Sequence, residues 1–412
     1  MRSIPYKKIS LVIFVAGFIW FVWPIYQFLA YEGKVPMWFP TDIKAPGYYP
    51  QTTAFPTHQQ SAAALALLAQ HRATIHAPAI SAAVAIDGKI TWAGAVGWAN
   101  IETRQPATAD TRFRIGSTSK AVTATLLARM VQEGKIELDK PISIYLELLP
   151  NPEWATLTPR QLASHTSGIP DYVDNYGDLP GLYYLFKLDK RYTSVSESLE
   201  VFDGTSLLFK PGTRYHYSSF NTVLQSRVLE AAAGEAFLNA LQHQVFIPLK
   251  MEATAAEYEL DEHAPLAIFY WNQDGNHPAY RIWQPVDLSH RLAGGGFTST
   301  PSDMVKLGSA WLDNNFITPE TRQLFWTPQT LADGSINESN YALGWRWANY
   351  EDAQGKIHNA NHGGVSRGSQ SWLMVIPDRR MVVAVMINSN VENFWDFGQV
   401  SMPLARLFFA TR

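Results

Sequence analysis

Over residues 59–72, alanines and leucines alternate with polar residues at a spacing of three to four, which predicts an amphipathic helix. Two apolar runs follow, 79–86 and 89–96, separated by Asp87-Gly88, a pair that favours a tight hairpin turn. A second pair of strand-like runs, 371–376 and 381–388, straddles Pro377-Asp378-Arg379-Arg380, and helical spacing resumes over 394–410. Between these ends, roughly 121–340, the pattern is one of helices broken by loops rich in Pro, Gly and aromatics. The clearest helical stretches there are 121–130 and 222–233. The economical arrangement is an α/β chain of the α+β kind. Both chain ends join in one antiparallel sheet flanked by helices, with a mostly helical subdomain inserted between them. Ligand sites favour the seam beside such a subdomain.

The N-terminal pattern differs from the rest. Arg2, Lys7 and Lys8 precede an almost uncharged run over 9–31, long enough to span a bilayer core of about 20 residues. Trp20, Trp23 and Tyr26 gather near its far end, as an interfacial aromatic belt does. Residues 1–8 therefore read as a cytoplasmic stub and 9–31 as an uncleaved transmembrane signal-anchor, since no A-x-A site follows. Pro36, Pro40, Pro46, Gly47, Pro50 and Pro56 punctuate 32–57, a linker, and 58–412 reads as the catalytic domain. The expected location is a bacterial inner membrane, with that domain periplasmic or extracellular.

Composition narrows the chemistry. The 412 residues are 47% hydrophobic and 17% charged, with net charge −3 and no long basic block, so nothing points to nucleic acid. There is no cysteine, which excludes disulfide scaffolds, cysteine nucleophiles, thiolate metal sites and a lipoprotein anchor. His358 and His362 are four apart, but the asparagines and glycines around them argue against a helix, so no metal and no cofactor is expected.

The candidate chemistry starts at Ser117-Thr118-Ser119-Lys120, just ahead of the helical stretch 121–130. Serine and lysine three apart on a helix share one face, where the amine can take the serine proton. A Pro211-Gly212 turn delivers Tyr215-His216-Tyr217-Ser218-Ser219 to the start of the next helical stretch. A tyrosine beside an ammonium can have its phenol pKa lowered and shuttle protons. His362-Gly363-Gly364 lies shortly before the strand 371–376, where glycines admit close approach of a substrate. Each pattern alone has a bland alternative: a helix cap with a solvated lysine, a packed loop tyrosine, an incidental histidine in a glycine turn.

Taken in order, Ser117-x-x-Lys120, Tyr217-Ser218-Ser219 and His362-Gly363-Gly364 resemble the serine β-lactamase-related hydrolases. These include class C β-lactamases, D-alanyl-D-alanine carboxypeptidases and β-lactamase-fold esterases. Stretches 157–170, 293–296 and 341–345 are also similar, so the resemblance spans about 60–410. It implies a β-lactamase/transpeptidase-like fold with Ser117 as the acylated nucleophile, Lys120 as its activator and Tyr217 as proton relay. The amides of Ser117 and Val365 would form the oxyanion hole. Ser219, His362, Gly363 and Gly364 would contact substrate. Two departures stand out: Ser219 holds the family's Asn position, and His362 its Lys position. Both argue against efficient β-lactam breakdown and neither disables acyl transfer. The implied function is hydrolysis of an ester or amide, such as an aryl ester or D-amino-acid peptide, with β-lactams as weak substrates. The alternative is a membrane-anchored sensor or scaffold that is acylated once, or not at all.

Other readings are weaker. Gly364-Val365-Ser366-Arg367-Gly368 matches the G-x-S-x-G nucleophile elbow, but that turn needs a strand before it and a histidine later in the chain, and none lies beyond His362. Arg367 is a candidate carboxylate partner, and His165 reads as ordering a turn. The aromatics Tyr183, Tyr184, Phe186, Tyr270, Trp271 and Trp283 read as core, pocket lining or lipid contacts.

Overall fold

Asp87 and Gly88 both take left-handed backbone, with φ of 50° and 80°. This gives the tight turn whose twist matches the strands on either side. It joins β2 (Ala79–Ile86) to β3 (Lys89–Asn100). The computed structural model describes residues 6–31, 35–36, 43–175, 190–271, 279–283, 285–352, 355–391 and 393–409. Beside the short Gln105–Pro106, which pairs with the end of β3, the other strands of the main sheet are β1 (Gln51–Thr53), β4 (Arg346–Asp352), β5 (Gly355–Ser366), β6 (Ser369–Ile376) and β7 (Met381–Ile387). Their order is β4-β5-β6-β7-β2-β3-β1, and every pairing is antiparallel. Residues 381–387 of β7 pair with 86–80 of β2, so the two chain ends close one sheet, as the two hairpin patterns predicted.

β7 reads Met-Val-Val-Ala-Val-Met-Ile without a polar position because both its faces are covered. Val382, Ala384 and Met386 pack with α3 (Ser119–Gln132) and α5 (Pro301–Ala310). Met381, Val383, Val385 and Ile387 face α2 (Ser61–Thr74) and the C-terminal α7 (Ser401–Leu407). Two further helices are α4 (Ser219–Ala233) and α6 (Pro319–Trp326). α4 ends on Gly234, whose φ of 71° supplies the left-handed cap.

The predicted terminal helix over 394–410 is two pieces, Phe394–Gly398 and α7. Pro403 is the reason: it has no N–H to bond the Gln399 carbonyl four residues back and its ring clashes with it, so the chain breaks there and Pro403 sits in the first turn of a helix that starts anew at Ser401. His362-Gly363-Gly364 is likewise not a loop beside a strand but the interior of β5. At the other end, α1 (Tyr6–Tyr31) contains an 18-residue stretch, Ser10–Gln27, of mean hydropathy 1.7 and with none of it buried. It is one N-terminal helix long and apolar enough to cross a membrane. Tyr183, Tyr184 and Phe186 lie outside the described residues.

Candidate active site

From 113 to 128 every residue is buried except Ser117, which opens partly to solvent. Ser117 sits in a 3₁₀ turn, Gly116–Thr118, that runs directly into α3. The turn is pressed against β5. Gly116 has φ of 48°, and a Cβ there would meet the Val365 carbonyl oxygen at 2.5 Å and the Val365 nitrogen at 2.7 Å. A Cβ on Gly364 would run into the Ile115 carbonyl and come within 2.8 Å of the Thr118 nitrogen. Only glycine lets these two backbones approach so closely. Hydroxyls then pin them: Ser371 Oγ donates to the Ile115 carbonyl at 2.6 Å and pairs with Thr118 Oγ1 at 2.7 Å. Gly364→Ala is therefore expected to displace the Ser117 turn, lowering stability by about 1–3 kcal/mol and removing reactivity toward a serine-directed probe. Thermal unfolding and intact-mass labelling measure the two effects.

Lys120 lies one turn along α3 and is buried, 1% exposed. Its Nζ donates to the Gly294 carbonyl at 2.7 Å and to Ser219 Oγ at 3.2 Å, and is 3.1 Å from Ser117 Oγ. Burial lowers its pKa to about 7; Tyr172 and Asp171 oppose the shift, while Arg291 and Arg346 add to it. Near neutral pH a large share of Lys120 is therefore free base. Its two N–H bonds go to Gly294 O and Ser219 Oγ, and its lone pair is left for the Ser117 proton.

Ser218 caps α4, its Oγ accepting from the Phe220 amide at 3.2 Å. The preceding Tyr217 is thereby carried to the site, its ring centroid 4.8 Å from Lys120 Nζ. Burial pushes the Tyr217 phenol up to about 12, against the lowering effects of Arg346 and of its hydrogen bond to Ser117. The expected lowering by a nearby ammonium is thus reversed. Desolvation outweighs the charge, and the phenol is a neutral hydrogen-bonding group at pH 7.

Two of the predicted substrate contacts point elsewhere. Ser219 Oγ, 2% exposed as a residue, is engaged by Lys120. His362 is fully buried: Nδ1–H donates to the Gly363 carbonyl at 2.7 Å, so Nε2 accepts from the Tyr341 hydroxyl at 2.8 Å. Burial, with Arg346 and Lys120 nearby, holds its pKa well below the usual histidine value. His362 is a neutral positioning group behind Tyr341, not a cation facing substrate. Gly363 packs under Phe394 and Trp372, whereas Val365 is exposed beside the Ser117 turn.

His165 orders its turn, as the sequence suggested. Its φ is 59°, its carbonyl accepts from the His216 amide at 2.9 Å, and its ring lies 4.3 Å from that of Tyr217. Arg367 stands 5.9 Å from the Trp283 ring centroid. Three residues escaped the sequence reading. Asp171, 5% exposed, accepts the Ser219 amide at 3.0 Å and carries a carboxylate near Lys120; burial raises its pKa. Arg346 lies 5.5 Å from the Tyr217 ring and 5.1 Å from that of Tyr341. Arg291 reaches Tyr172 and Ser366. No short pattern marks them, since each is a lone charge brought in by tertiary structure.

A serine and a buried, part-neutral lysine on one helix, under a tyrosine hydroxyl and against a sheet strand, define the β-lactamase/transpeptidase-like serine hydrolase class. The profile of the Beta-lactamase family matches residues 65–397, and the chain belongs to that family. It is similar to the serine beta-lactamase-like protein LACTB, mitochondrial, of Homo sapiens, 29% identical over 80% of this chain and 75% of that one. In fold it is similar to a D-amino acid amidase from Ochrobactrum anthropi SV3, with TM-score 0.69, 21% identity, and coverage of 85% and 99% of the two chains. FmtA from Staphylococcus aureus gives TM-score 0.67 at 18% identity, with coverage of 92% and 94%.

Proposed function

We propose that the chain is a membrane-anchored acyl hydrolase that cleaves an ester or amide through a Ser117 ester. The observation that carries this reading is the contact of Ser117 Oγ with Lys120, whose pKa of about 7 makes it a competent base. Ser117 Oγ attacks the carbonyl carbon while its proton passes to Lys120 Nζ. The amides of Ser117 and Val365 receive the developing oxyanion, and the Tyr217 hydroxyl relays the proton from Lys120 to the leaving group. Water then attacks the ester with the same groups reversing roles. α1 anchors residues 58–412 on the periplasmic or extracellular face.

The D-amino acid amidase likeness favours amides of D-configured residues among the candidate substrates. Ser219, engaged by Lys120, offers no side-chain amide to a penicillin-like acylamido group, which disfavours β-lactams. The test is a panel of aryl esters, D-alanyl amides and cephalosporins given to the full chain in detergent, with intact-mass detection of the acyl adduct. Turnover of an ester or D-amide above the cephalosporins supports the reading. A lasting stoichiometric adduct without product supports a sensor, and no adduct with any of them supports a scaffold.

A further inference from the structure

The strand partners of β5 change along its length. Residues 355–361 pair with β4 and residues 360–366 with β6, so among these pairings only Ala360 and Asn361 have a strand on both sides. β4 begins at Arg346, which pairs with Asn361, so, among the described residues, 362–366 keep only β6 as a strand partner. The Ser117 turn packs against Gly364 and Val365, and the edge that lacks a strand partner runs beside it. That edge is about 13 Å long, room for three or four extended residues.

A guanidinium stands at each end of this open edge. Arg346 is at the 361 end, half-buried over Tyr217 and Tyr341 and hydrogen-bonded to Tyr215. Arg291 is at the 366 end. A Cβ on Gly295 would lie 3.6 Å from Arg291 Nε and 3.8 Å from the Gly116 carbonyl carbon, so Arg291 runs alongside the nucleophile turn. Both arginines act electrostatically on Lys120 and Tyr217.

Neither guanidinium has a carboxylate hydrogen-bonded to it among the described residues. Arg291 Nη1 donates to the Tyr172 hydroxyl at 3.3 Å and Nη2 to Ser366 Oγ at 3.5 Å, both long and both neutral. Its Nε is buried without a partner. Asp171, the carboxylate in the site, spends Oδ1 on the Ser219 amide. A guanidinium that finds only hydroxyls keeps most of its capacity for a bidentate anion. By contrast, the buried Arg114 makes two bonds of 2.6 Å to the Glu257 carboxylate.

We infer that the substrate is an acidic, extended peptide-like chain laid along residues 362–366, with a carboxylate on each side of the scissile carbonyl, one held by Arg291 and the other by Arg346. This rests on the acyl-hydrolase reading and specifies its substrate class. Arg291 is the specificity residue at the Ser366 end.

Four matched depsipeptides of one configuration test it: neutral with Gln on both sides, Glu on the acyl side only, Glu on the leaving side only, and Glu on both. Full-length protein in detergent is assayed for kcat/KM. The expected result is about a tenfold gain per carboxylate over its Gln counterpart, shrinking at high salt. Arg291→Gln should erase the preference on one side only, and Arg291→Lys should restore part of it. Equal kcat/KM for Glu and Gln depsipeptides in the wild type overturns the inference, as does an Arg291→Gln protein that keeps both preferences. Amide analogues of the same four, titrated calorimetrically into Ser117→Ala, read the preference without chemistry. Tighter binding of the acidic analogues with no turnover of any depsipeptide would sink the hydrolase reading alone; equal binding would sink the carboxylate inference alone.

Discussion

Ser117→Ala is expected to lower acyl transfer by about 10⁴–10⁶-fold and to leave the protein folded. Loss of the whole covalent route accounts for the size. With no Oγ there is no ester intermediate, and Lys120 and Tyr217 have no proton to move. The structural cost is small because the lost hydroxyl is partly exposed. Lys120 also keeps the Gly294 carbonyl and Ser219 Oγ. The change in unfolding free energy should stay within about 1 kcal/mol. Turnover of the best ester in the panel, adduct formation with a fluorophosphonate and a thermal melt together measure it. An adduct that survives in the variant would place the nucleophile elsewhere and end the assignment.

Part of this site was legible and part was not, for separable reasons. Ser117 and Lys120 could be read because a helix fixes the geometry of residues three apart. The β2–β3 hairpin could be read because Asp87-Gly88 accepts the two left-handed conformations that its turn requires. His362 shows the limit. Consecutive strand residues face opposite sides, and glycine neighbours give no hydrophobic alternation to tell which side is which. His362 could be assigned to the site by its motif, but its place inside β5 and its engagement with Tyr341 and Gly363 needed the tertiary structure. The Tyr217 phenol failed for another reason. The effect of a neighbouring charge can be guessed from sequence, whereas the stronger effect of burial cannot. Asp171, Arg291 and Arg346 come from three separate segments, and only the packing of α3, α4 and the sheet brings them to one place. The terminal helix was misjudged at Pro403, where an interior proline should have outweighed the apolar spacing.

Lys120→Met is expected to abolish activity and at the same time to stabilise the protein at and below neutral pH. The reason is the sign of the lysine's shift. Most lysines gain a partner on folding and are raised; Lys120 is lowered from 10.5 to about 7 because burial removes its hydration. Between pH 7 and 10.5 the unfolded chain therefore holds a proton at this position that the folded chain has lost. Stability must then rise with pH across that window. Below about pH 7 both states are protonated and the folded state carries the full penalty, about 5 kcal/mol at 1.36 kcal/mol per pKa unit. Methionine fills similar volume without a charge, so the gain in melting temperature should be greatest at about pH 6–7 and fade by about pH 10.5. The same proton sets the rate. kcat/KM of the wild type should rise through an apparent pKa near 7 as Lys120 becomes free to accept the Ser117 proton. Melts and pH–rate profiles of the two proteins side by side decide the matter. A Lys120→Met protein less stable than wild type at about pH 6, together with a wild-type rate that is flat from about pH 6 to 8, would mean that the Lys120 pKa is not lowered by the fold and that Lys120 is not the base. A destabilised variant with a normal wild-type profile would instead mean that the bond from Nζ to the Gly294 carbonyl outweighs the cost of burying the amine.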